Sequence, residues 1–293
     1  MRPNAHTHAA LALGLFSVLP LPALAVGKGT ATLAPSKDNT LYEEANGSVS
    51  NGAGPSLFAG ETAFFGARRA VLEFDLSSIP AGSTITAVTL TLSVTQAAGA
   101  DTDYTLHRLN QEWGEGASDT GPKDTAAGGG GAPAATGDAT WLHTFFSGSL
   151  WTSPGGDFDP TPSATTVIPA LGSASFSSAA MVADVQAWLD SPSANHGWLI
   201  RNDETQTRRS RRLASRENPN AALRPVLFVD FTPPAPCVGD LNNDGVINTA
   251  DLAQFLGQFG QTVAPGTGAD LTGDGVVNTA DLALFLGRFG QSC

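Results

Sequence analysis

Two stretches near the end of the chain carry oxygen-bearing side chains at repeated, fixed intervals. Asp240 to Gln261 reads DLNNDGVINTADLAQFLGQFGQ and Asp270 to Gln291 reads DLTGDGVVNTADLALFLGRFGQ, so the copies differ at five of 22 positions. Counting from the first aspartate, oxygen donors fall at positions 1, 3, 5, 9 and 12, and glycine falls at position 6. A hard divalent cation takes roughly six to eight oxygens at about 2.3–2.6 Å, a demand that a short loop meets with carboxylates, amides and a backbone carbonyl. The first set is Asp240, Asn242, Asp244, the Val246 carbonyl, Asn248 and Asp251; the second is Asp270, Thr272, Asp274, the Val276 carbonyl, Asn278 and Asp281. Gly245 and Gly275 stand where such a loop bends sharply. All six acidic residues beyond position 236 occupy loop positions 1, 5 or 12. The pattern points to two calcium ions, the second held more weakly because the Thr272 hydroxyl is a poorer ligand than an amide oxygen.

Each loop must be held by the helix that follows it. Thr249 and Thr279 lie at the N-terminal turns, with an aspartate close behind to favour the positive end of the helix dipole. Leu252, Phe255, Leu256 and Phe259 recur at helical spacing, as do Leu282, Phe285, Leu286 and Phe289, predicting two stripes packed on each other. Cys237 and Cys293, the only cysteines, bracket the duplicated region. In an exported protein such a pair reads as a disulfide, worth about 2–4 kcal/mol to so small a module; the other option is two free thiols.

The duplicated segment, residues 237–293, resembles a type I dockerin, the calcium-binding docking module of cellulosomal enzymes, down to aspartate rather than glutamate at position 12. The resemblance implies a cohesin-like protein partner, met through loop positions 10 and 11 and helix positions 17, 18 and 22. Here these are Thr249, Ala250, Leu256, Gly257 and Gln261, mirrored by Thr279, Ala280, Leu286, Gly287 and Gln291. Leu-Gly stands where the family often has a basic pair. Since both copies carry the same letters at these positions, a partner could dock either way round.

The 293-residue chain has a formal net charge of -12, which argues against nucleic acid as a partner. Arg2, the apolar run Ala9 to Leu24 and the small residues around Ala25 read as a secretory signal, residues 1–25, cleaved after Ala25. No later stretch is long or apolar enough for a transmembrane anchor. The expected location is therefore secreted, extracellular or cell-surface associated.

Residues 26–231 change to the pattern of short strands. Thr30–Leu33, Asp38–Glu43, Arg69–Leu76, a long strand in which Val88, Leu90, Leu92 and Val94 face inward, and Tyr104–Leu109 come first. In Arg69–Leu76, Leu72, Phe74 and Leu76 are expected on one face and Val71, Glu73 and Asp75 on the other. Weaker strands near Thr165 and Ser175 precede a helix over Ser178–Asp190; His196–Arg201, Arg211–Ser215 and Pro225–Phe231 close the set. The stretch from Asn110 to Pro160 reads as a long loop, either functional or mobile. This predicts a mainly β fold, a jelly-roll-like β-sandwich with one helix, followed by a proline-rich linker (232–236) and a small α module of paired loop-helix units. The segment also resembles the DNRLRE family of extracellular β-sandwich modules, some of which bind polysaccharide. DNTLYE, RRAVLEFDLSSIPAGSTITAVTLTL, MVADVQAWLD and LASREN carry that resemblance, with Thr40 and Tyr42 in place of the motif's arginines.

Trp113, Trp141 and Trp151 fall in the loop-rich region, where exposed rings could stack on sugars; the alternative is that they cover the core. Six arginines between Arg201 and Arg216, Arg209 and Arg212 among them, could grip an anionic polysaccharide or be laced to nearby acids such as Glu204 and Glu217. Glu112 and Glu115 are the carboxylates best placed for glycoside hydrolysis. No nucleophile elbow or metal-binding histidine motif occurs. The reading is a secreted, non-catalytic protein in which the sandwich binds polysaccharide or cell-surface material and the calcium module anchors it. Alternatives are a glycoside hydrolase or lyase component, and a purely structural surface protein.

Overall fold

The computed structural model describes residues 27–64, 66–121, 128–235 and 237–292; the expected signal segment lies outside them. The strands are β1 (Gly29–Leu33), β2 (Pro35–Tyr42), β3 (Val49–Ser50), β4 (Ser56–Glu61), β5 (Ala67–Phe74), β6 (Thr84–Ala97), β7 (Thr102–Arg108), β8 (Ala132–Pro133), β9 (Ala164–Ile168), β10 (Gly172–Phe176), β11 (Trp198–Arg201), β12 (Arg211–Ala214) and β13 (Val226–Thr232). Helix α1 (Ala179–Asp190) precedes β11, and α2 (Thr249–Gln258) and α3 (Thr279–Leu286) follow the strands. None of the helices among the described residues is long and apolar enough to cross a membrane.

The fourteen-residue β6 is the spine of one layer. Its inward residues Val88, Leu90, Leu92 and Val94 are buried, as their alternation requires. β13 and then β12 pair along one edge of β6 and β10 along the other, with β1 outside β13. In the second layer β5 is flanked by β2 on one edge and by β11 on the other, continuing to β7 and β9. All pairings among the described residues are antiparallel. The layers are one curled sheet because β4 belongs to both: Ser56–Ala59 pair with β12, then Gly60 and Glu61 pair with β5. Gly60 takes φ +95 at this corner, and a Cβ there would stand 2.4 Å from the Tyr104 hydroxyl oxygen and 2.5 Å from the Arg209 carbonyl. Only glycine fits.

Between the layers lies a core that includes Leu57, Leu72, Phe74, Leu90, Phe176, Trp198, Leu213 and Val229. α1 closes it with Met181, Val185 and Trp188, and Ser178 caps the helix through the Met181 N–H. The Trp188 and Trp198 rings meet edge-on at 4.5 Å.

A second core lies on the outer side of the β5 layer. Leu41, Val71, Leu109, Leu199, Trp113, Ala139, Trp141 and Trp151 form it, covered by the stretch between Asn110 and Pro160. Val71 lies on the face opposite Leu72 and Phe74, as expected, and is buried there because β5 is covered on both faces. The same covering decides against the sugar-stacking reading of the tryptophans. Trp113, Trp141 and Trp151 are only 1, 9 and 5 % exposed, so they are packing residues and not a sugar-stacking platform. Two of the polar edges are satisfied internally: the Trp113 indole N–H donates to the His196 carbonyl and that of Trp151 to the Thr140 carbonyl, both at 2.9 Å. The covering stretch is tied down by backbone hydrogen bonds, including Gly114 N–H to Thr144, Ala139 N–H to Gly114 and Phe146 N–H to Asp138.

Replacing Trp113 with alanine opens a cavity in this second core and is expected to cost about 3–5 kcal/mol of sandwich stability. Denaturant unfolding checks it; a surface stacking residue would change stability by no more than about 0.5 kcal/mol.

Candidate calcium loops and docking face

The C-terminal module is built by two loop-helix units that exchange edges. Ile247 of the first loop pairs with the segment after α3, through Ile247 N–H to Gln291 O (2.9 Å) and Gly290 N–H to Ile247 O (2.7 Å). Val277 of the second loop pairs in the same way with the segment after α2, through Val277 N–H to Gln261 O (3.0 Å) and Gly260 N–H to Val277 O (2.8 Å). Under these pairings Ile247, Val277, Phe255, Phe285 and Ala269 form a small core, with the two phenyl rings 5.3 Å apart. Leu252 and Leu282 pack against it. The other half of each expected stripe does not: Leu256 and Leu286 are 57 and 54 % exposed, and Phe259 and Phe289 are 42 % exposed.

Each loop gathers three carboxylates, one oxygen from each within 4.8 Å of the others: Asp240, Asp244 and Asp251, then Asp270, Asp274 and Asp281. Gly245 and Gly275 bend the chain at φ +87 and +84, and Asn243 and Gly273, two residues earlier, also have positive φ. Backbone donors aim the carboxylates. Asp240 receives the Asp244 and Gly245 N–H groups at 3.2 and 2.9 Å, and Asp270 those of Asp274 and Gly275 at 3.2 and 2.8 Å. Asp251 Oδ1 receives Leu241 and Asn242, while its Oδ2 receives Asn248 N–H at 2.9 Å. Asp281 receives Thr272 N–H and the Thr272 hydroxyl, both at 2.8 Å, and Asn278 N–H.

The helices begin at Thr249 and Thr279, at the N-terminal turns where the sequence places these residues. Asn248 and Asn278, the position 9 donors, are the N-caps, and each forms a reciprocal capping box with Asp251 or Asp281. The position 12 carboxylate thus serves loop and helix together.

The electrostatics agree with a cation cage. Burial pushes the Asp251 and Asp281 carboxyls up, but backbone donors outweigh it and hold both below the usual aspartate range, so both are ionised at neutral pH. Asp270 is likewise held low against burial by the Gly266, Gly275 and Gly273 N–H groups. Asp244 is held low by the Asn242 side chain and the Val246 N–H. Three carboxylates this close are the donor set that an oxygen-seeking divalent cation fits. Val246 O and Val276 O, each 3.1 Å from the Asn248 or Asn278 amide nitrogen, complete the rim.

The family model for the dockerin type I domain matches residues 238–288. This segment is a type I dockerin domain. Dockerins are calcium-binding modules. Among solved structures the chain is similar to a type II cohesin-dockerin domain from Bacteroides cellolosolvens, at 41 % identity over 19 % of this chain and 88 % of that one, with a TM-score of 0.18. Among curated proteins no match is found.

All ten positions expected to meet a partner are exposed on the dockerin: Thr249, Ala250, Leu256, Gly257 and Gln261, and Thr279, Ala280, Leu286, Gly287 and Gln291. The expected bridge from Cys237 lies partly outside the described residues, because Cys293 is not among them.

In the sandwich, the arginines from the end of β11 onward go to different places. Arg201 and Arg69 both pair with Glu204, at 2.8 Å. Arg211 is fully buried and donates to the carbonyls of Ile168, Ala98 and Ala100. Arg209 reaches Gln206, and Arg212 reaches Ser56 and Gln96 at 3.1 Å. Glu112 is held by Lys37 and by His196 (3.0 Å), and Glu115 by Arg216 (2.6 and 2.7 Å), so the structure engages these two acids in separate ion pairs. A group with no local signature in the sequence is Asp38, Glu115 and Glu217, drawn from β2, the covering stretch and the turn after β12. Burial, then the nearby Glu217 charge, raises the Asp38 carboxyl well above its ordinary value.

Asp251→Asn removes both functions of that side chain. Without calcium it should cost about 1 kcal/mol, the size of a lost cap. The loss should grow as calcium is added, because a ligand bound only by the native state adds stability with its concentration. Melting of both proteins across a calcium series checks this. Thr272→Asn, which restores the amide of the first loop, should tighten the weaker calcium step by calorimetry.

Proposed function

We propose that this chain is a secreted anchoring protein whose dockerin folds around two calcium ions and docks onto a cohesin-like domain of a protein partner. The observation that carries the reading is the exposed apolar pair Leu256 and Leu286, repeated on two copies of one surface and left uncovered by the dockerin's own core. Residues that are buried-type by chemistry and exposed by position mark contact surfaces. A disulfide between Cys237 and Cys293 belongs to this reading. It is supported by the Arg288 guanidinium donating to Val238 O at 3.1 Å, which fastens the last turn to the start of the module.

In the same proposal, residues 26–231 are a DNRLRE-type module that holds polysaccharide or cell-surface material without catalysis, and residues 232–236 are the linker. With the tryptophans in the core, the glycan reading rests on Arg209 and Arg212. Arg212 lines a cavity of about 340 Å³ together with Ser56, Asp119, Glu217 and Asn218. Carboxylated or sulfated sugars are the ligand class that guanidinium groups match.

The docking reading makes a specific prediction. Calorimetry with a type I cohesin should show binding in millimolar calcium and none in chelator. Leu256→Asp and Leu286→Asp alone should each leave binding within about tenfold of the parent, a change of up to about 1.4 kcal/mol, since either copy can meet the partner. The double variant should abolish it. Undiminished binding by the double variant would remove this face from the proposal.

A further inference from the structure

Among the described residues, the dockerin accounts for two of the three carboxylate groups close enough to share an ion; the third is in the sandwich. One oxygen each from Asp38, Glu115 and Glu217 lies within 4.8 Å of the others. Asp38 is wholly buried, and of its two oxygens only Oδ2 has a donor, the Arg216 N–H at 2.7 Å. Its Oδ1 is buried with no hydrogen-bond partner, and so is Glu217 Oε2. A buried carboxylate oxygen without a donor is costly, and two in one group of like charges are more so.

The charges that act on Asp38 are Glu217, Glu115 and Arg216. Arg216 serves Glu115 with two hydrogen bonds, at 2.6 and 2.7 Å, and touches Glu217 Oε1 at 2.7 Å. One guanidinium against three carboxylates leaves a formal charge of two minus, which one divalent cation neutralises. The donors are all oxygens, the choice of hard ions such as calcium and not of zinc or copper. Glu217 also lines the cavity beside Pro55, Ser56 and Asn218, which gives an ion a route to the group.

We propose that Asp38, Glu115 and Glu217 form a third divalent-cation site, of calcium type, that fastens the edge strand β2, the covering stretch and the turn after β12 to one another. The site is separate from the dockerin loops and does not depend on the docking reading.

The aromatic residues separate it from those loops experimentally. Residues 237–293 contain neither tryptophan nor tyrosine, whereas Trp113 is two residues before Glu115. Terbium emission excited through indole therefore reports on the sandwich. The full chain, stripped of calcium and titrated with terbium, should show indole-sensitised emission that excess calcium displaces. Glu217→Gln should weaken the apparent affinity by about tenfold or more, the lower bound set by losses of supporting groups around metals. Asp38→Asn, checked for folding by near-ultraviolet circular dichroism, should do the same. Terbium bound by dialysis without indole-sensitised emission in the parent chain would overturn the proposal. So would emission of equal affinity in the parent and both variants; the acids would then be held together by a shared proton.

Discussion

One side chain in each repeat, Asp251 and Asp281, joins two structures that chain chemistry would otherwise leave independent. One carboxylate oxygen gathers donors from the start of the loop, and the other takes the N–H of the residue that caps the helix. Closing the loop and starting the helix are therefore a single event. The short aspartate arm makes this possible, since the helix cap stands three residues before the carboxylate that must reach back to the loop. It also concentrates negative charge where backbone amides alone cannot neutralise it, so the geometry calls for a cation. A core as small as that around Phe255 and Phe285 gives such a module little else to stand on.

The sandwich solves a different problem. Its layers are continuous through β4, and the corner is affordable only because Gly60 leaves room for the Tyr104 hydroxyl and the Arg209 carbonyl. A buried guanidinium, Arg211, donates to the carbonyls of Ile168 at the end of β9 and of Ala98 and Ala100 between β6 and β7. On the outer side of the β5 layer, the glycine-rich stretch supplies three indoles as a second core instead of hanging free.

What could be read in the residues follows from what is local. The alternation of β6, the spacing of Met181, Val185 and Trp188, and the loop aspartates at positions 1, 5 and 12 are short-range patterns; the strand and the helix appear where expected, and the aspartates converge in each loop. β4 escaped because all six of its residues are buried, so it shows no alternation and reads as part of a glycine-rich loop. The roles of Trp113, Trp141 and Trp151 depend on contacts with strands far away in the chain, which composition does not reveal. Helical spacing placed Leu252 and Leu256 in one stripe. Which part of a stripe is covered depends on how the two helices meet, and that geometry is not in the spacing. Asp38, Glu115 and Glu217 come from three distant segments and have no motif.

The exchanged edges of the dockerin bear on how its two loops respond to ions. Ile247 is held by the segment after the second helix, and Val277 by the segment after the first. Neither repeat carries the partner for its own loop, so neither is a folding unit by itself. Ordering one loop steadies the strand-like edge on which the other is built, so the two loops are coupled by construction.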